Sequence, residues 1–303
     1  MIIVDPSYEI QDELDRQPLL RALEARGRVC YKSEDKISED SAIPFLSKIA
    51  ASGHGSVLEM AVVTAEISCS AAETAALLAT QPRFLLIDET EKGLLITASI
   101  RALRELAAAE TVSAVAATLA GAVAAKYPFL FTGAALPPAT LPPPRFLSID
   151  TVEALPQQQL LCHRFLGVKF VVSRAVSHEL VRHRPCSFLQ ESQRYCNYSQ
   201  ARFGQHVTFI RPLFYPEDSP EFARWEAAMT EAEAAYLHLL ATSSPQAART
   251  VLPNSCKTEI VVYCNLAEWR HIFKLRTSNA AEPSMREIML PLQAELKARY
   301  SFL

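Results

Sequence analysis

Three arginines and a histidine fall within the fourteen residues Arg182-His183-Arg184-Pro185-Cys186-Ser187-Phe188-Leu189-Gln190-Glu191-Ser192-Gln193-Arg194-Tyr195. The rest of the chain is slightly acidic, so this concentration of cations stands out. An apolar run, Val168 to Val172, leads into a helical stretch whose Val176 and Leu180 share a face. Pro185 cannot continue that helix, which is expected to end near Arg184. If the chain beyond it is extended, Gln190, Ser192 and Arg194 project to one side. Two guanidinium groups and an imidazole at a helix end, facing a polar row, suit a planar ligand bearing phosphate. The same cations could instead satisfy the last carbonyls of a helix, and the chemistry alone leaves both readings open.

Two further arginines occupy odd places. In a helix expected from Asn265 to about Arg276, Trp269, Phe273 and Arg276 recur at helical spacing, so Arg276 lies on or beside the apolar stripe. An arginine there needs an acidic partner or a ligand, because unpaired burial of charge is costly. Arg249, among Ala247, Ala248 and Val251, poses the same question. Upstream, Gly53-His54-Gly55-Ser56-Val57-Leu58-Glu59 sets two glycines around a histidine, allowing a tight turn or close ligand approach.

The elements that must carry these residues read as mixed α/β. A first strand at Met1–Asp5 precedes a helix around Leu19 to Arg26, stopped by Gly27. A helix from about Ser41 to Ala51 and a strand from Val62 to Ser68 follow. Residues 71–150 differ in texture: Ala71–Ala79 and Ile100–Ala125 are alanine-dominated helical patterns. They lead to Pro137-Pro138 and Pro142-Pro143-Pro144, a stiff extended connector. This stretch reads as an insertion or subdomain within a single domain spanning 1–303. Ser219-Pro220 and Ser244-Pro245 are cap-and-first-position signatures of helices. The first helix buries Phe222, Trp225, Met229, Ala232, Tyr236 and Leu240. A strand is expected from Glu259 to Tyr263.

Composition narrows the classes. At 303 residues, 50% hydrophobic and 21% charged, the chain has ample apolar material for a globular core. A net charge of −3 supplies no global field for nucleic acid or an anionic membrane, so any anion must be held locally. The Ala-rich stretch Ser113 to Ala125 is too short to span a bilayer, and no signal peptide is read at the start. Seven scattered cysteines without a C-x-x-C suggest reduced thiols in a cytoplasm and give no zinc ligand set. Only eight glycines are present, with neither G-x-G-x-x-G nor a P-loop, so a cofactor would sit in another scaffold.

Arg182 to Ser192 fits R-H-R, seven residues, then S, and so resembles the signature of the flavin-dependent thymidylate synthases, the ThyX family. Gly53–Glu59 is similar to that family's G-H-x-S-x-x-E-H segment. Gln246–Pro253 resembles its A-R-x-V-L-P element, and Asn265–Arg276 its N-x-R-x-W-x-x-F-x-x-x-R helix. The blocks occur in the family's order. The resemblance implies a ThyX-like α/β fold with a central sheet flanked by helices, in a homotetramer with shared active sites. It implies FAD, with NADPH and methylenetetrahydrofolate as co-substrates, and reductive methylation of a uridine monophosphate at C5. On this reading His54, Ser56, Glu59, Arg182, His183, Arg184, Gln190, Asn265 and His271 hold the flavin. Glu179, Arg182, Gln190, Glu191, Ser192, Gln193, Arg194 and Arg249 line the nucleotide pocket. Arg276 grips the uracil N3 and O2 edge and stabilises charge as the ring is activated.

The chain departs from the pattern at Met60, Ala267, Ala280 and His271, where a histidine, an arginine, a histidine and an asparagine are usual. Arg101 is a candidate to replace the arginine missing at Ala267. Pro185-Cys186 echoes the nucleophile of the unrelated thymidylate synthase class, but Cys186 falls at a variable position of the motif. Ser192 has no histidine base nearby in sequence and reads as a nucleotide contact. The resemblance implies dUMP as substrate, or alternatively UMP or both, as in nucleoside-antibiotic biosynthesis. A non-catalytic nucleotide- or RNA-binding module is disfavoured by the acidic balance and by the lack of aromatics interleaved with basic residues. A metal hydrolase on His54, His178 and His183 lacks a carboxylate cluster in the sequence.

Overall fold

The computed structural model describes residues 1–200 and 203–303. Among them the strands are β1 (Ile2–Val4), β2 (Ser7–Ile10), β3 (Val62–Ser68), β4 (Leu85–Thr90), β5 (Gly93–Ser99), β6 (Arg145–Phe146), β7 (Phe165–Ser173), β8 (Ser187–Gln190), β9 (Thr208–Ile210) and β10 (Lys257–Asn265). The mixed α/β class expected from the sequence is what folds. Instead of one central sheet, two four-stranded antiparallel sheets form, ordered β2-β7-β10-β8 and β4-β5-β3-β6, beside a parallel β1-β9 pair.

Oxygen-bearing side chains start most helices by accepting from the backbone N–H three residues on. Ser70, Ser99, Ser113, Ser148, Ser173, Ser219, Ser244 and Asn265 all do so. Ser70 adds a capping box with Glu73. The helices expected at Ala71–Ala79 and at Pro220 are present as Ala71–Ala79 and Pro220–Leu240.

Several expectations fail for physical reasons. The helix starting at Leu19 runs through Gly27 to Val29. Gly27 is a contact point, not a stop: a Cβ there would lie 2.7 Å from Val57 Cγ1 and 2.9 Å from Phe45. The single helical pattern Ile100–Ala125 is two helices, Ile100–Ala107 and Ala114–Lys126. The hairpin β4–β5 precedes them, between the two patterns read as helical. Its strand β5 is buried on both faces, so the period-2 alternation that marks a half-buried strand is absent. The helix before Pro185 ends at Leu180, four residues earlier than expected.

One apolar cluster surrounds β3 and β5 beneath the Ile100–Ala107 and Ala114–Lys126 helices. A second packs β7 and β10 against the Leu266–Arg276 and Pro283–Arg299 helices, through Trp269, Phe273, Ile288 and Leu292. On the other side of β10, Arg26 is fully buried over the Tyr263 ring. It donates to Asp15 at 2.7 Å, Gln11 at 3.0 Å and the Met60 carbonyl at 2.6 Å. Gly167 admits it, because a Cβ there would sit 2.8 Å from the guanidinium.

Candidate active site

The helix Arg174–Leu180 hangs between β7 and β8, so its C-terminal end and the following residues 181–186 collect beside the Leu266–Arg276 helix. There Arg276 meets Glu179 and His183. Its Nη1 donates to Glu179 Oε2 at 2.5 Å, its Nη2 to the Glu179 carbonyl at 3.1 Å and its Nε to His183 Nε2 at 3.0 Å. The arginine on the apolar stripe therefore has an acidic partner. Its guanidinium also remains 17% exposed, beside a 28% exposed carboxylate.

His183 is buried, and burial, Arg276 and His271 push its pKa down to about 4. It is neutral at ordinary pH. Since Nε2 accepts from Arg276, the ring proton sits on Nδ1, which faces Glu268 Oε1 at 3.5 Å. Glu268 is raised by burial, against a lowering by His271. His183, Glu268 and His271 bring three donor atoms within 4.8 Å of one another. The guanidinium of Arg276 occupies Nε2 of that histidine and adds a positive charge next to the cluster, which disfavours a cation there.

Arg182 and Arg184 flank His183 on the surface, and neither has a partner among the described residues. The strand β8 ends at Gln190, whose Nε2 donates to Ser177 Oγ at 2.9 Å and Thr258 Oγ1 at 3.1 Å. Beyond it the chain turns instead of staying extended: Tyr195 and Cys196 donate their N–H groups to the Ser192 carbonyl. The expected row of Gln190, Ser192 and Arg194 on one strand face is thus lost. Arg194 is exposed and reaches Gln246 at 3.1 Å, which ties this turn to the short Pro245–Ala248 helix and to Arg249. Gln193 is half-buried on the same turn.

Glu191 points elsewhere. It is buried, accepts from Tyr198 and Lys257 at 2.8 Å each, and belongs to an ion network with Glu259 and Lys32. Arg174, which the sequence reading passed over, is electrostatically coupled to Arg249. Burial, outweighing the raising influence of Tyr198, and then Arg249 lower its pKa. Two guanidinium groups close enough to repel mark a place suited to a dianion. The signal was available in sequence: Arg174 directly follows the Ser173 cap at the end of an apolar strand.

The Gly53–Glu59 stretch forms a turn, with Gly53 at φ +76° and a 3-10 helix over Gly55–Glu59. His54 is exposed and its Nδ1 lies 2.9 Å from the Tyr31 hydroxyl. Tyr31 in turn packs against Tyr195 with ring centroids 5.7 Å apart. His54, Tyr31 and Tyr195 share the wall of an open cleft of about 720 Å³ with Arg28, Lys36 and Lys48. So the His54 segment and the Arg182–Tyr195 segment, distant in sequence, are joined through the two tyrosines. Ser56 is exposed beside them.

Glu59 faces away, toward a second cleft of about 190 Å³ lined also by Phe84, Ser99, Arg101, Phe165, Ser187 and Asn265. Arg101 pairs with Glu59 at 2.6 Å. Asn265 spends its carbonyl capping the helix and its amide N–H on the Cys162 carbonyl. His271 is exposed, with its ring 6.1 Å from that of His183. Of the departures, Met60 is fully buried and Ala267 packs against the β7–β10 cluster, while Ala280 is exposed. Cys186 is buried and hydrogen-bonded to Cys264, far from a nucleophile's exposed setting.

Fold and site together define a mixed α/β protein with an arginine-rich site suited to anions. The family model described as thymidylate synthase complementing protein matches residues 17–82 and 157–300, which include all four motif blocks. The chain belongs to this family, the ThyX family its motifs resemble. Similar curated proteins are the flavin-dependent thymidylate synthases of Pyrococcus furiosus, 34% identical over 42% of this chain and 52% of that protein, and of Mycobacterium avium, 35% identical over 39% and 52%. That of Geobacter sulfurreducens is 33% identical over 48% of this chain and 61% of its own. The chain spans about half the length of the curated relatives it matches.

Proposed function

We propose that this chain is a flavin-dependent methylase of uridine 5′-monophosphates, converting dUMP to dTMP with methylenetetrahydrofolate as carbon donor and NADPH as reductant. The observation that carries the reading is the cluster between the helix Arg174–Leu180 and β8. Two exposed arginines without a partner among the described residues, Arg182 and Arg184, flank a neutral histidine that orients Arg276. The relatives' own description, flavin-dependent thymidylate synthase, supports it.

The donor set suits FAD. Exposed Arg182 and Arg184 fit a diphosphate, and His54, Tyr31 and Tyr195 offer a partly aromatic wall, while the Glu59–Arg101 cleft supplies hydrogen-bonding groups between apolar faces. When bound, the flavin supplies the redox chemistry. The residues of this chain bind and polarise: Arg174, Arg194 and Arg249 take the nucleotide phosphate, with Gln190, Ser192 and Gln193 beside the sugar and base. Arg276, fixed by Glu179 and His183, offers its remaining N–H capacity to the pyrimidine edge, where negative charge develops on activation. Partner copies in a homotetramer complete the pocket.

An anaerobic assay with FAD, NADPH and methylenetetrahydrofolate, offering dUMP and UMP separately, tests this by the mass of the 5-methyl product. Product from dUMP supports the reading, and product from UMP alone moves the assignment to a ribonucleotide methylase. Absence of product from both, with flavin bound, sinks it.

A further inference from the structure

The two four-stranded sheets share one plan. Read across, β4-β5-β3-β6 corresponds strand for strand to β8-β10-β7-β2, antiparallel throughout. The central pairs share their register: Val62 faces Ser99 and Ser68 faces Gly93, while Phe165 faces Asn265 and Val171 faces Glu259. In both, the last residue of the strand caps the helix that follows, Ser99 for Ile100–Ala107 and Asn265 for Leu266–Arg276. The edge strands agree too. Phe146 and Arg145 face Ala65 and Glu66, just as Ile10 and Glu9 face Val168 and Lys169. Each edge carries a cross-strand ion pair of inverted polarity, Arg145–Glu66 at 2.7 Å and Glu9–Lys169 at 3.3 Å.

The order along the chain repeats as well. After β2 come the helix Asp12–Arg16, then Pro18 opening the helix Leu19–Val29; after β6 come Ile149–Glu153, then Pro156 opening Gln157–His163. Beyond β3, Ser70 caps a helix followed by Pro82 and β4. Beyond β7, Ser173 caps a helix followed by Pro185 and β8. A capped helix closes each half, Ala114–Lys126 and Pro283–Arg299. Order, register, caps and prolines do not coincide in this way unless one unit occurs twice.

We propose that residues 7–131 and 145–303 are two copies of one unit joined by the proline-rich segment, and that the first serves the second as a built-in partner subunit, leaving one nucleotide site per chain. The copies have lost complementary parts. Counting from the caps Ser173 and Ser70, the places of Glu179, Arg182, His183 and Arg184 are held in the first copy by Ala76, Ala79, Thr80 and Gln81. Counting from Asn265 and Ser99, the place of Arg276 is held by Glu110. The first copy therefore has no guanidinium cluster, and a carboxylate would repel an anion there. Conversely, the His54–Glu59 turn is inserted only in the first copy. The second passes from His163 almost directly into β7.

The 190 Å³ cleft lies where equivalent parts of the copies meet, because it takes both members of three equivalent pairs: Val62 with Phe165, Phe84 with Ser187, and Ser99 with Asn265. Its cation, Arg101, has Ala267 as its equivalent, so the pseudo-symmetric cleft is charged on one side only.

That the second copy takes a nucleotide rests on the function proposed above; the duplication does not. In the full chain, a protease site inserted between Ala139 and Thr140 separates the copies covalently after folding. A nicked protein that keeps its far-UV circular dichroism and its size on gel filtration is expected, because the copies exchange their first strands, β2 pairing with β7 and β6 with β3, and so stay interlocked without the covalent link; unfolding on nicking overturns the duplication. Equilibrium dialysis of the intact chain with dUMP, FAD present, should then count one dUMP per chain, abolished by Arg249→Ala. Two per chain overturns the division of labour. None at all sinks the nucleotide reading and the one-site claim with it, while the nicked chain still decides the duplication.

Discussion

His183 accepts a hydrogen bond from Arg276 through Nε2 at 3.0 Å, and this one contact fixes the tautomer of the first and the direction of the second. It requires an unprotonated nitrogen, and the low pKa of His183, about 4 through burial and then Arg276 and His271, keeps that nitrogen available. An imidazolium there would face a guanidinium head-on.

A pH prediction follows with a definite sign. The folded-state pKa of His183 lies below the ordinary 6.5, so between about pH 6.5 and 4 the unfolded chain binds more protons at this site. Stability from this group is fully present above 6.5, falls through that window and levels off below 4. The His183 resonances should titrate near 4 by NMR, and His183→Asn should flatten the dependence of the melting temperature on pH across the window. A midpoint near 6.5 would show that Arg276 does not hold the ring.

Arg276→Ala removes three hydrogen bonds and leaves the Glu179 carboxylate without its cation. Loss of a donor aimed at developing charge costs on the order of 10²–10³ in rate. Methylation should fall at least that far while bound FAD stays, by its absorbance ratio to protein. Arg276→Lys should not rescue, because an ammonium cannot serve Glu179 and His183 together in the geometry of a planar fork. Full activity in the alanine variant would remove Arg276 from the chemistry.

The acidic ends of the fold depend on a different cluster. Burial alone would raise Glu259, but Lys257 and Lys32, each at 2.7 Å, hold it down to about 2. A depressed carboxylate contributes stability that is present above its ordinary value of about 4.5 and lost as pH falls toward 2. Glu259→Gln should therefore melt lower than the wild type at pH 7 and converge with it near pH 2. Parallel curves from pH 7 to 2 would mean the network contributes nothing.

Much of this was readable in the residues. Ser219-Pro220 and Ser244-Pro245 announced their helices because a cap and a fixed φ are local properties. The motif blocks located His54, Arg182 and Arg276 on the chain. What pairs with what was not readable: Glu179 and Arg276 meet only because the helix after β7 lies beside the helix after β10. The hairpin β4–β5 escaped because both faces of β5 are covered, and Gly27 misled because a packing glycine looks like a stop. Glu191 carries the expected charge in the expected motif, yet Lys257 draws it inward.

Cys186 is the tempting nucleophile that the packing rules out. It lies in the β7–β10 core and bonds Cys264, whose own thiol burial drives far upward. Cys186→Ala should lose about 1 kcal/mol for the small deleted group and keep its activity within a few-fold. Loss of product formation with unchanged stability and flavin content would restore it as a reacting group.

Arg101 carries the test that joins site and fold. Its ion pair with Glu59 is 41% exposed on the arginine side, so Arg101→Ala should leave the melting temperature nearly unchanged. FAD retention should fall, because among the described residues this is the one cation lining the cleft where the copies meet. Ala267 is the equivalent position in the second copy, two residues beyond Asn265, which does line that cleft. An arginine introduced there, Ala267→Arg in the Arg101→Ala background, should recover part of the lost flavin, read as absorbance at the flavin band after gel filtration. Unchanged FAD retention in Arg101→Ala would take the residue out of the flavin site. A loss that Ala267→Arg cannot reverse would mean the two positions do not face one cavity.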